Sequence, residues 1–252
     1  MPQIKAVIFD FIGTLTNVKG YSQEKSEMKM YKAIVENGFK IEVEDFLEAY
    51  SQAYEKYRDI RYQKLVEVSN AVWIAEALNN LGFKISPEDT RIKTAVNAFF
   101  EDYLSSLELR PCVKGLLKNL STRYRLGLIS NFTYAPVIYA GLRKLDINKF
   151  FNAVLVSEAV GWRKPHIKIF EEALKRLEVT ASETVYVGDS PLEDIKGANA
   201  SGIKTIFVPS QFYLLKDLEE SQQKPEIIAD NICKLQSALE RLNKNTSLNF
   251  KC

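Results

Sequence analysis

Short apolar runs rich in β-branched and aromatic residues recur along the chain and predict strands of a parallel sheet. Runs of this kind are typical of strands that are buried on both faces. They occupy residues 4–9, 126–129, 153–156, 184–187 and 204–208. Segments with apolar residues at three- and four-residue spacing predict helices at 171–177, 192–200 and 231–242. This alternation predicts an α/β core with a doubly wound parallel sheet, covered by helices on both faces.

A different pattern fills the long stretch after the first strand. Strand-like runs give way there to amphipathic, charge-rich segments that predict a bundle of helices. The predicted helices span 24–37, 43–58, 66–81 and 87–104. Ser86 is the predicted cap of the last helix, with Pro87 in its first turn. We therefore expect an inserted α-helical bundle at 18–107, called the cap below, and a core domain formed by 1–17 and 108–252.

The charge composition argues against nucleic-acid and membrane binding. The 252 residues include 34 Lys or Arg and 32 Asp or Glu, a net charge of +2. Basic residues are interspersed with acidic ones, so no basic stripe is present that would neutralise a phosphate backbone. The apolar runs are far shorter than the ~20 residues of a membrane-spanning helix, and no secretory leader precedes them. We expect a cytoplasmic protein, monomeric or homodimeric, with a small-molecule substrate.

Histidine and cysteine offer little chemistry in this chain. His166 is the single histidine, and one imidazole cannot build a multi-histidine metal site. Cys112, Cys233 and Cys252 are odd in number and far apart in sequence, so we expect free, reduced thiols. Any catalysis must then depend on carboxylates, lysines and hydroxyls.

Polar side chains stand where the predicted strands end. Asp10 follows the first strand, Ser130 and Asn131 end the second, Lys164 lies in the loop after the third, and Asp189 follows the fourth. Because parallel strands present their carboxyl ends at one edge of a sheet, we expect these side chains to converge. Carboxylates, a hydroxyl and a lysine together are the groups that phosphoryl chemistry requires.

Four motifs, in this order, resemble those of the haloacid dehalogenase-like superfamily. They are FDFIGTLT at 9–16, LISN at 128–131, RKPHIKIF at 163–170 and VGDSPLEDIKGANASG at 187–202. The last is the most specific, because it is close to the family's magnesium-binding pattern. The resemblance covers nearly all of the chain outside the cap. It implies a Rossmann-like core and a hydrolase that acts on a small phosphorylated metabolite with Mg²⁺ as cofactor.

The resemblance also implies a role for each matched residue in catalysis. Asp10 would attack phosphorus and form an aspartyl-phosphate that water later hydrolyses. Ser130 and Asn131 would bind the phosphoryl group, and Lys164 would bind it and balance its charge together with that of the nucleophile. Thr14 would brace the Asp10 loop through its hydroxyl.

A metal site is implied by the same motifs. Its ligands would be Asp10, the backbone carbonyl of Ile12 and Asp189, with Asp194 completing the site. Asp194 would either orient a metal-bound water or steady Lys164. Mg²⁺ would screen the repulsion between the attacking carboxylate and the phosphoryl group.

Ile12 departs from the pattern of the family's phosphatases, which carry a second Asp two residues after the nucleophile. That Asp protonates the leaving group and then activates water, a contribution of about 100- to 10,000-fold in rate. In this chain the general acid/base contribution is missing or is supplied by another residue, because the isoleucine side chain has no proton to exchange. His166 is expected to be a surface residue at the start of a helix rather than a replacement acid.

Three functions remain open after this departure. The first is a Mg²⁺-dependent phosphatase or related phosphoryl hydrolase that has reduced activity or acts on substrates with good leaving groups. The second is a 2-haloacid dehalogenase, which needs neither metal nor leaving-group acid. In such dehalogenases the sequence of the fourth motif resembles Ser-x-Asn, whereas this chain has Gly-Asp-Ser there. A C–P hydrolase tolerates an apolar residue here but needs a cap lysine, for which Lys19, Lys25 and Lys29 are candidates by sequence position. The third is a binding protein, which the retained Asp10, Lys164 and Asp189 oppose.

Overall fold

Strands and helices alternate in the computed structural model, which describes residues 3–248, with side chains to residue 243. The strands are β1 (Ala6–Phe9), β2 (Thr16–Val18), β3 (Leu107–Leu109), β4 (Arg125–Ser130), β5 (Ala153–Val156), β6 (Thr184–Gly188), β7 (Lys204–Phe207) and β8 (Ile227–Ile228). The helices are α1 (Gln23–Glu36), α2 (Val43–Lys64), α3 (Asn70–Asn80), α4 (Thr90–Ser106), α5 (Val113–Ser121), α6 (Ala135–Lys144), α7 (Ser157–Val160), α8 (Ile167–Leu177), α9 (Lys196–Ala200), α10 (Leu215–Ser221) and α11 (Leu235–Leu248). Within the described range, no helix is long and apolar enough to cross a bilayer.

Six strands form one parallel sheet in the order β5-β4-β1-β6-β7-β8. The central strand is β1, with Phe9 level with Leu128 of β4 on one side and with Val187 of β6 on the other. The chain therefore moves outwards from β1 in both directions. Loops that leave β4 and β6 in opposite directions open a crevice above the carboxyl end of β1, where ligands bind in folds of this kind.

Side chains of β1 alternate between two apolar layers. Val7 and Phe9 belong to the layer that includes α5, α6 and α11, whereas Ala6 and Ile8 belong to the layer that includes α8 and α9. A strand that is covered on both faces has no polar position, which explains its continuous apolar sequence. The predicted doubly wound α/β fold is confirmed.

Helices α1 to α4 surround a second apolar cluster, to which the start of α6 also contributes, with Phe46, Trp73 and Phe99 among its members. The segment between α2 and α3 contacts the core. Glu67 donates its backbone N–H to the carbonyl of Gly161, 2.9 Å away, and the Leu65 carbonyl accepts a hydrogen bond from the backbone N–H of Arg163. Because these bonds hold the chain extended, α3 begins at Asn70 and not at residue 66 as predicted. The same bonds join the cap to the loop that carries Lys164.

The start of α4 also differs from the prediction. Asp89 is its cap, with a side-chain oxygen that accepts the backbone N–H of Arg91 at 2.8 Å, and the helix begins at Thr90. Ser86 therefore does not cap the helix, and Pro87 lies in a turn before it. The side-chain amide of Asn79 bonds both backbone groups of Ile85, which keeps that segment outside the helix.

A two-stranded antiparallel sheet joins the ends of the cap to the core. β2 pairs with β3, with Thr16 opposite Leu109 and Val18 opposite Leu107. The side-chain amide of Gln211 extends this sheet through two bonds of 3.0 Å to the backbone of Val18. The alternation of apolar and polar residues did not predict these strands, because three residues are too few to display a period of two. We retain 18–107 as the proposed extent of the cap.

Cys112 and Cys233 form a disulfide, so the expectation of free thiols is wrong for these two residues. They are 121 positions apart in sequence. Cys112 directly precedes α5 and Cys233 lies just before α11, and both helices pack on the same face of the sheet. Spacing along the chain contains no information about that proximity, which the packing of the helices produces. Cys252 lies outside the described residues.

Candidate active site

One cavity of about 260 Å³ opens at the carboxyl edge of the sheet, above β1, β4 and β6. Nine residues from the motifs line it, namely Asp10, Ile12, Ser130, Asn131, Lys164, Asp189, Ser190, Glu193 and Asp194. Thr14 lies outside the lining and bonds Asp189. The volume suits a small ligand, because sites for drug-sized molecules occupy roughly 300–1,000 Å³.

Lys164 connects the acidic groups of the cavity. Its ammonium donates to Asp10 Oδ1 at 2.7 Å and to Asp194 Oδ1 at 2.6 Å, and the Tyr186 hydroxyl and the Ile129 carbonyl complete its contacts. Burial disfavours the charged amine, but the two carboxylates raise the pKa of Lys164 well above its usual range. With a side chain only 2% exposed, Lys164 is a buried and charged member of the site, not a surface residue.

Asp10 retains one carboxylate oxygen without a partner. Its Oδ1 accepts the Lys164 ammonium, whereas Oδ2 is buried and bonded by none of the described residues. Burial raises the pKa of Asp10 to about 6, against the opposing charge of Lys164. A buried oxygen left without a hydrogen bond costs free energy, and such atoms are concentrated at functional sites. Oδ2 is therefore available to a cation or an electrophile.

Asp189 is held between two hydroxyl groups. Thr14 Oγ1 donates to its Oδ1 at 3.0 Å, and Ser210 Oγ donates to its Oδ2 at 2.5 Å. Burial and the charges of Asp10 and Asp194 raise the pKa of Asp189 well above its usual range. The Thr14 hydroxyl thus links the loop after β1 to the end of β6, which fixes the position of Asp189 relative to Asp10.

A wide π-helical turn at Pro191–Ile195 directs the Asp194 carboxylate back towards the cavity. Its Oδ2 accepts the backbone N–H groups of Asp189 and Ser190 at 3.1 and 2.9 Å, while Oδ1 accepts Lys164. Gly188 permits this approach, because an added Cβ would lie 2.4 Å from the carboxyl carbon of Asp194. Of the two roles predicted for Asp194, the geometry shows direct contact with Lys164.

The three carboxylates fit a divalent cation. Asp10, Asp189 and Asp194 each offer an oxygen within 4.8 Å of the others, and all three side chains are buried. One ammonium, that of Lys164, bonds two of them. Like charges held this close in a buried site are unfavourable without a further cation. Carboxylate oxygens are the ligands of hard cations such as Mg²⁺.

Ser130 and Asn131 are adjacent in sequence, but their side chains are used differently. Asn131 accepts the backbone N–H of Lys164 at 2.8 Å and donates to the Lys164 carbonyl at 2.9 Å. Its amide therefore fixes the Lys164 loop. The Ser130 side chain lines the cavity, and none of the described residues hydrogen-bonds its hydroxyl. That hydroxyl is available to a ligand.

Residues that the motifs do not contain also form the site. Arg110, which follows β3, donates to the carbonyls of Gly13 and Pro209 at 2.7 and 2.9 Å and so supports the loops on both sides of Asp189. Tyr103 of α4 and two residues of the core, Phe212 and Tyr213, complete the lining. Nothing in the local sequence identifies these residues, because they reach the cavity from separate elements.

His166 lies outside the cavity lining. It caps α8, where its Nδ1 accepts the backbone N–H of Lys168, and its ring packs on Trp162 with centroids 4.2 Å apart. The expectation of a residue at a helix start is confirmed.

Gly13→Ala is expected to destabilise the protein more than Gly38→Ala. Both glycines have positive φ, +96° and +92°, so both substitutions carry a similar backbone cost of about 1–3 kcal/mol. At Gly13 the new Cβ would also lie 2.3 Å from Asp189 Oδ2, whereas Gly38 faces open space. The free energies of unfolding of the two variants, from urea titration, measure the difference. Equal losses would contradict a close approach of the Gly13 backbone to Asp189.

Comparison with known proteins places this site in context. Residues 7–208 match the family model described as haloacid dehalogenase-like hydrolase. A glyceraldehyde 3-phosphate phosphatase of Methanopyrus kandleri is 29% identical over 244 residues, 96% of this chain and 100% of the relative. A ribulose-1,5-bisphosphate 5-phosphatase of Halopiger xanaduensis is 29% identical over 82% of this chain and 85% of its own length. Among solved structures, a 2-haloacid dehalogenase from Pseudomonas syringae pv. Tomato superposes with a TM-score of 0.70 at 25% identity, covering 95% of this chain and 100% of that one.

Proposed function

Since this chain belongs to the family of haloacid dehalogenase-like hydrolases, we propose that it is a Mg²⁺-dependent phosphatase of a small phosphorylated metabolite. The observation that carries the proposal is the meeting of Asp10, Lys164 and the two further carboxylates in one small cavity. Phosphatases that act on sugar phosphates are among its relatives over most of its length. A phosphate ester of a short carbon chain is therefore the proposed substrate.

Asp10 is the proposed nucleophile. Its unpartnered Oδ2 would attack phosphorus while Lys164 holds Oδ1 and fixes the orientation of the carboxylate. The Ser130 hydroxyl would donate to a phosphoryl oxygen, and the Lys164 ammonium would stabilise the negative charge that develops there. Asn131 would contribute by fixing the backbone of Lys164.

Asp10, the Ile12 carbonyl, Asp189 and Asp194 are the proposed surroundings of Mg²⁺. The bound ion would offset the negative charge of the carboxylates and of the phosphoryl group. Thr14 and Ser210 would keep Asp189 in position through its two oxygens. Direct ligation by Asp194 competes with its bonds to Lys164 and to two backbone N–H groups, so we propose that it acts chiefly by holding Lys164.

Hydrolysis of 2-haloacids is the second candidate, because the superposed dehalogenase has the same overall fold. Displacement of halide from carbon requires the Asp10 carboxylate but no cation. The buried carboxylate of Asp189 has no function in that reaction, and burying it beside Asp10 and Asp194 is costly. This acidic group favours the phosphatase.

Chelation is expected to abolish hydrolysis of phosphate esters, and added Mg²⁺ to restore it. The measurement is phosphate release from triose, pentose and aryl phosphates, beside halide release from 2-chloropropionate, with EDTA and with Mg²⁺. Asp189→Asn should raise the Mg²⁺ concentration required for half-maximal activity, whereas the surface variant Asp146→Asn should leave it unchanged. Halide release that is insensitive to EDTA, without phosphate release, would establish the dehalogenase and exclude the phosphatase.

A further inference from the structure

Ile12 leaves the site without the acid that would protonate a leaving group, and the carboxylates of the cavity other than Asp10 have partners. Among the described residues, Glu193 bonds Arg163 at 2.9 Å, and Asp194 bonds Lys164 and two backbone N–H groups. Both oxygens of Asp189 accept hydroxyl groups. None of these three carboxylates holds a proton that is free to move to a substrate.

Two tyrosines line the cavity, and Tyr103 is the better held of them, because Tyr213 is exposed to solvent. Tyr103 belongs to α4 and lines the same cavity as Asp10 and Ser130. Its ring is held on two sides by aromatic contacts, 5.0 Å from the Tyr21 centroid and 5.2 Å from that of Phe132. None of the described residues hydrogen-bonds its hydroxyl. A cavity-lining residue whose aromatic ring is fixed in this way, and whose hydroxyl has no partner among the described residues, is preorganised for contact with a ligand.

We propose that Tyr103 is a catalytic residue that performs the proton transfers for which the side chain of Ile12 has no group. The inference rests on the proposed phosphatase function and extends it. A tyrosine reaching in from the cap would act from the side of the cavity opposite the sheet edge, where the alcohol portion of a substrate extends beyond the phosphoryl group.

The two half-reactions balance with Tyr103 alone as the proton carrier. In the first, Asp10 Oδ2 forms a bond to phosphorus, the bond from phosphorus to the ester oxygen breaks, and that oxygen takes the Tyr103 proton. The products are an alcohol, an aspartyl-phosphate and a tyrosinate. In the second, water attacks phosphorus and gives its proton to the tyrosinate, and the bond to Asp10 breaks. Phosphate leaves, and both side chains return to their initial states.

Tyr103 also has an acidity compatible with this cycle. Burial raises the pKa of Tyr103 well above its usual range. The residue therefore stays protonated until an alkoxide, a stronger base, develops beside it. The tyrosinate that remains is in turn basic enough to accept a proton from attacking water.

The test compares Tyr103→Phe with the wild type on leaving groups of different basicity. With alkyl phosphates, the variant is expected to lose about 100-fold or more in kcat, because the alkoxide leaves without a proton. With p-nitrophenyl phosphate, the leaving group needs no acid. A rapid burst of nitrophenolate is then expected, followed by slow turnover, and acid-quenched protein should carry one phosphoryl group on Asp10, detected by mass spectrometry.

Two controls separate chemistry from structure. Tyr31→Phe removes another cap hydroxyl, one that donates to the Ile41 carbonyl at 3.0 Å, and should leave kcat and its leaving-group dependence unchanged. Ile12→Asp in the Tyr103→Phe background should restore alkyl phosphate turnover. Absence of the nitrophenolate burst, or of the phosphoryl-enzyme, would overturn the role of Tyr103 and leave the phosphatase standing. A wild type that hydrolyses no phosphate ester would overturn both.

Discussion

Asp10→Asn is expected to lower turnover by at least about 10⁴-fold, since loss of a catalytic nucleophile leaves only the contributions of binding. The amide has the size of the carboxylate but cannot attack phosphorus through Oδ2. Initial rates of phosphate release from the preferred ester measure the loss. Asp146→Asn, at a surface position paired with lysines, is the matched control and should retain full activity. Retention of more than a few per cent of activity by Asp10→Asn would exclude covalent catalysis at this residue.

The same substitution is expected to preserve the fold. The pKa of Asp10 is raised from 3.8 to about 6 by burial, so the folded state binds this proton more tightly than the unfolded state does. Stability of the metal-free protein should therefore decrease as the pH rises from about 4 to about 6, as Asp10 ionises. Asp10→Asn should weaken this decrease. Urea titrations across that pH range would show it, and a steeper decrease in the variant would contradict the assignment.

Lys164→Met is expected to abolish activity and to destabilise the protein by about 3–5 kcal/mol, because it leaves buried carboxylates without their cation. Lys164 bonds Asp10 and Asp194 directly, and its side chain is almost completely buried. Urea titration gives the free energy of unfolding, and steady-state kinetics give the turnover. Mg²⁺ should restore part of the lost stability, because it supplies positive charge at the same carboxylates, but should not restore activity.

Lys149→Met is the control for this result. Lys149 is exposed and pairs with Asp146 three positions earlier, where an ion pair contributes at most about 1 kcal/mol. Its removal should leave activity unchanged. If Lys164→Met lowered the free energy of unfolding by less than about 1 kcal/mol, the charges of Asp10 and Asp194 would have to be compensated by something other than the Lys164 ammonium.

The core of the fold was predictable from the sequence because its signals are local. A strand that is buried on both faces must be apolar throughout, so β1 and β6 are recognisable without knowledge of their neighbours. The motif residues stand at the carboxyl ends of such strands, and parallel pairing then brings them to one edge. Asp10, Lys164 and Asp189 could therefore be placed together before their contacts were known.

The start of α4 and the disulfide show where local signals fail. Ser86 and Pro87 have the pattern of a helix start, but the Asn79 side chain holds Ile85 outside the helix, and Asp89 caps it instead. Cys112 and Cys233 meet because two helices pack on one face of the sheet. In both cases the deciding contact joins residues whose proximity no periodicity in the sequence encodes.

The amino-acid sequence by itself determined the family, the doubly wound sheet and the supply of carboxylates, hydroxyl and lysine at its edge. Only the tertiary structure decided which of those groups form hydrogen bonds and ion pairs with one another. Asp194 turned out to hold Lys164, Asn131 to fix the Lys164 backbone, and Ser210 to hold Asp189. The tertiary structure also brings Tyr103 of the cap to the cavity. Hydrophobic periodicity reports which face of one element is buried, whereas these contacts depend on how separate elements dock against each other.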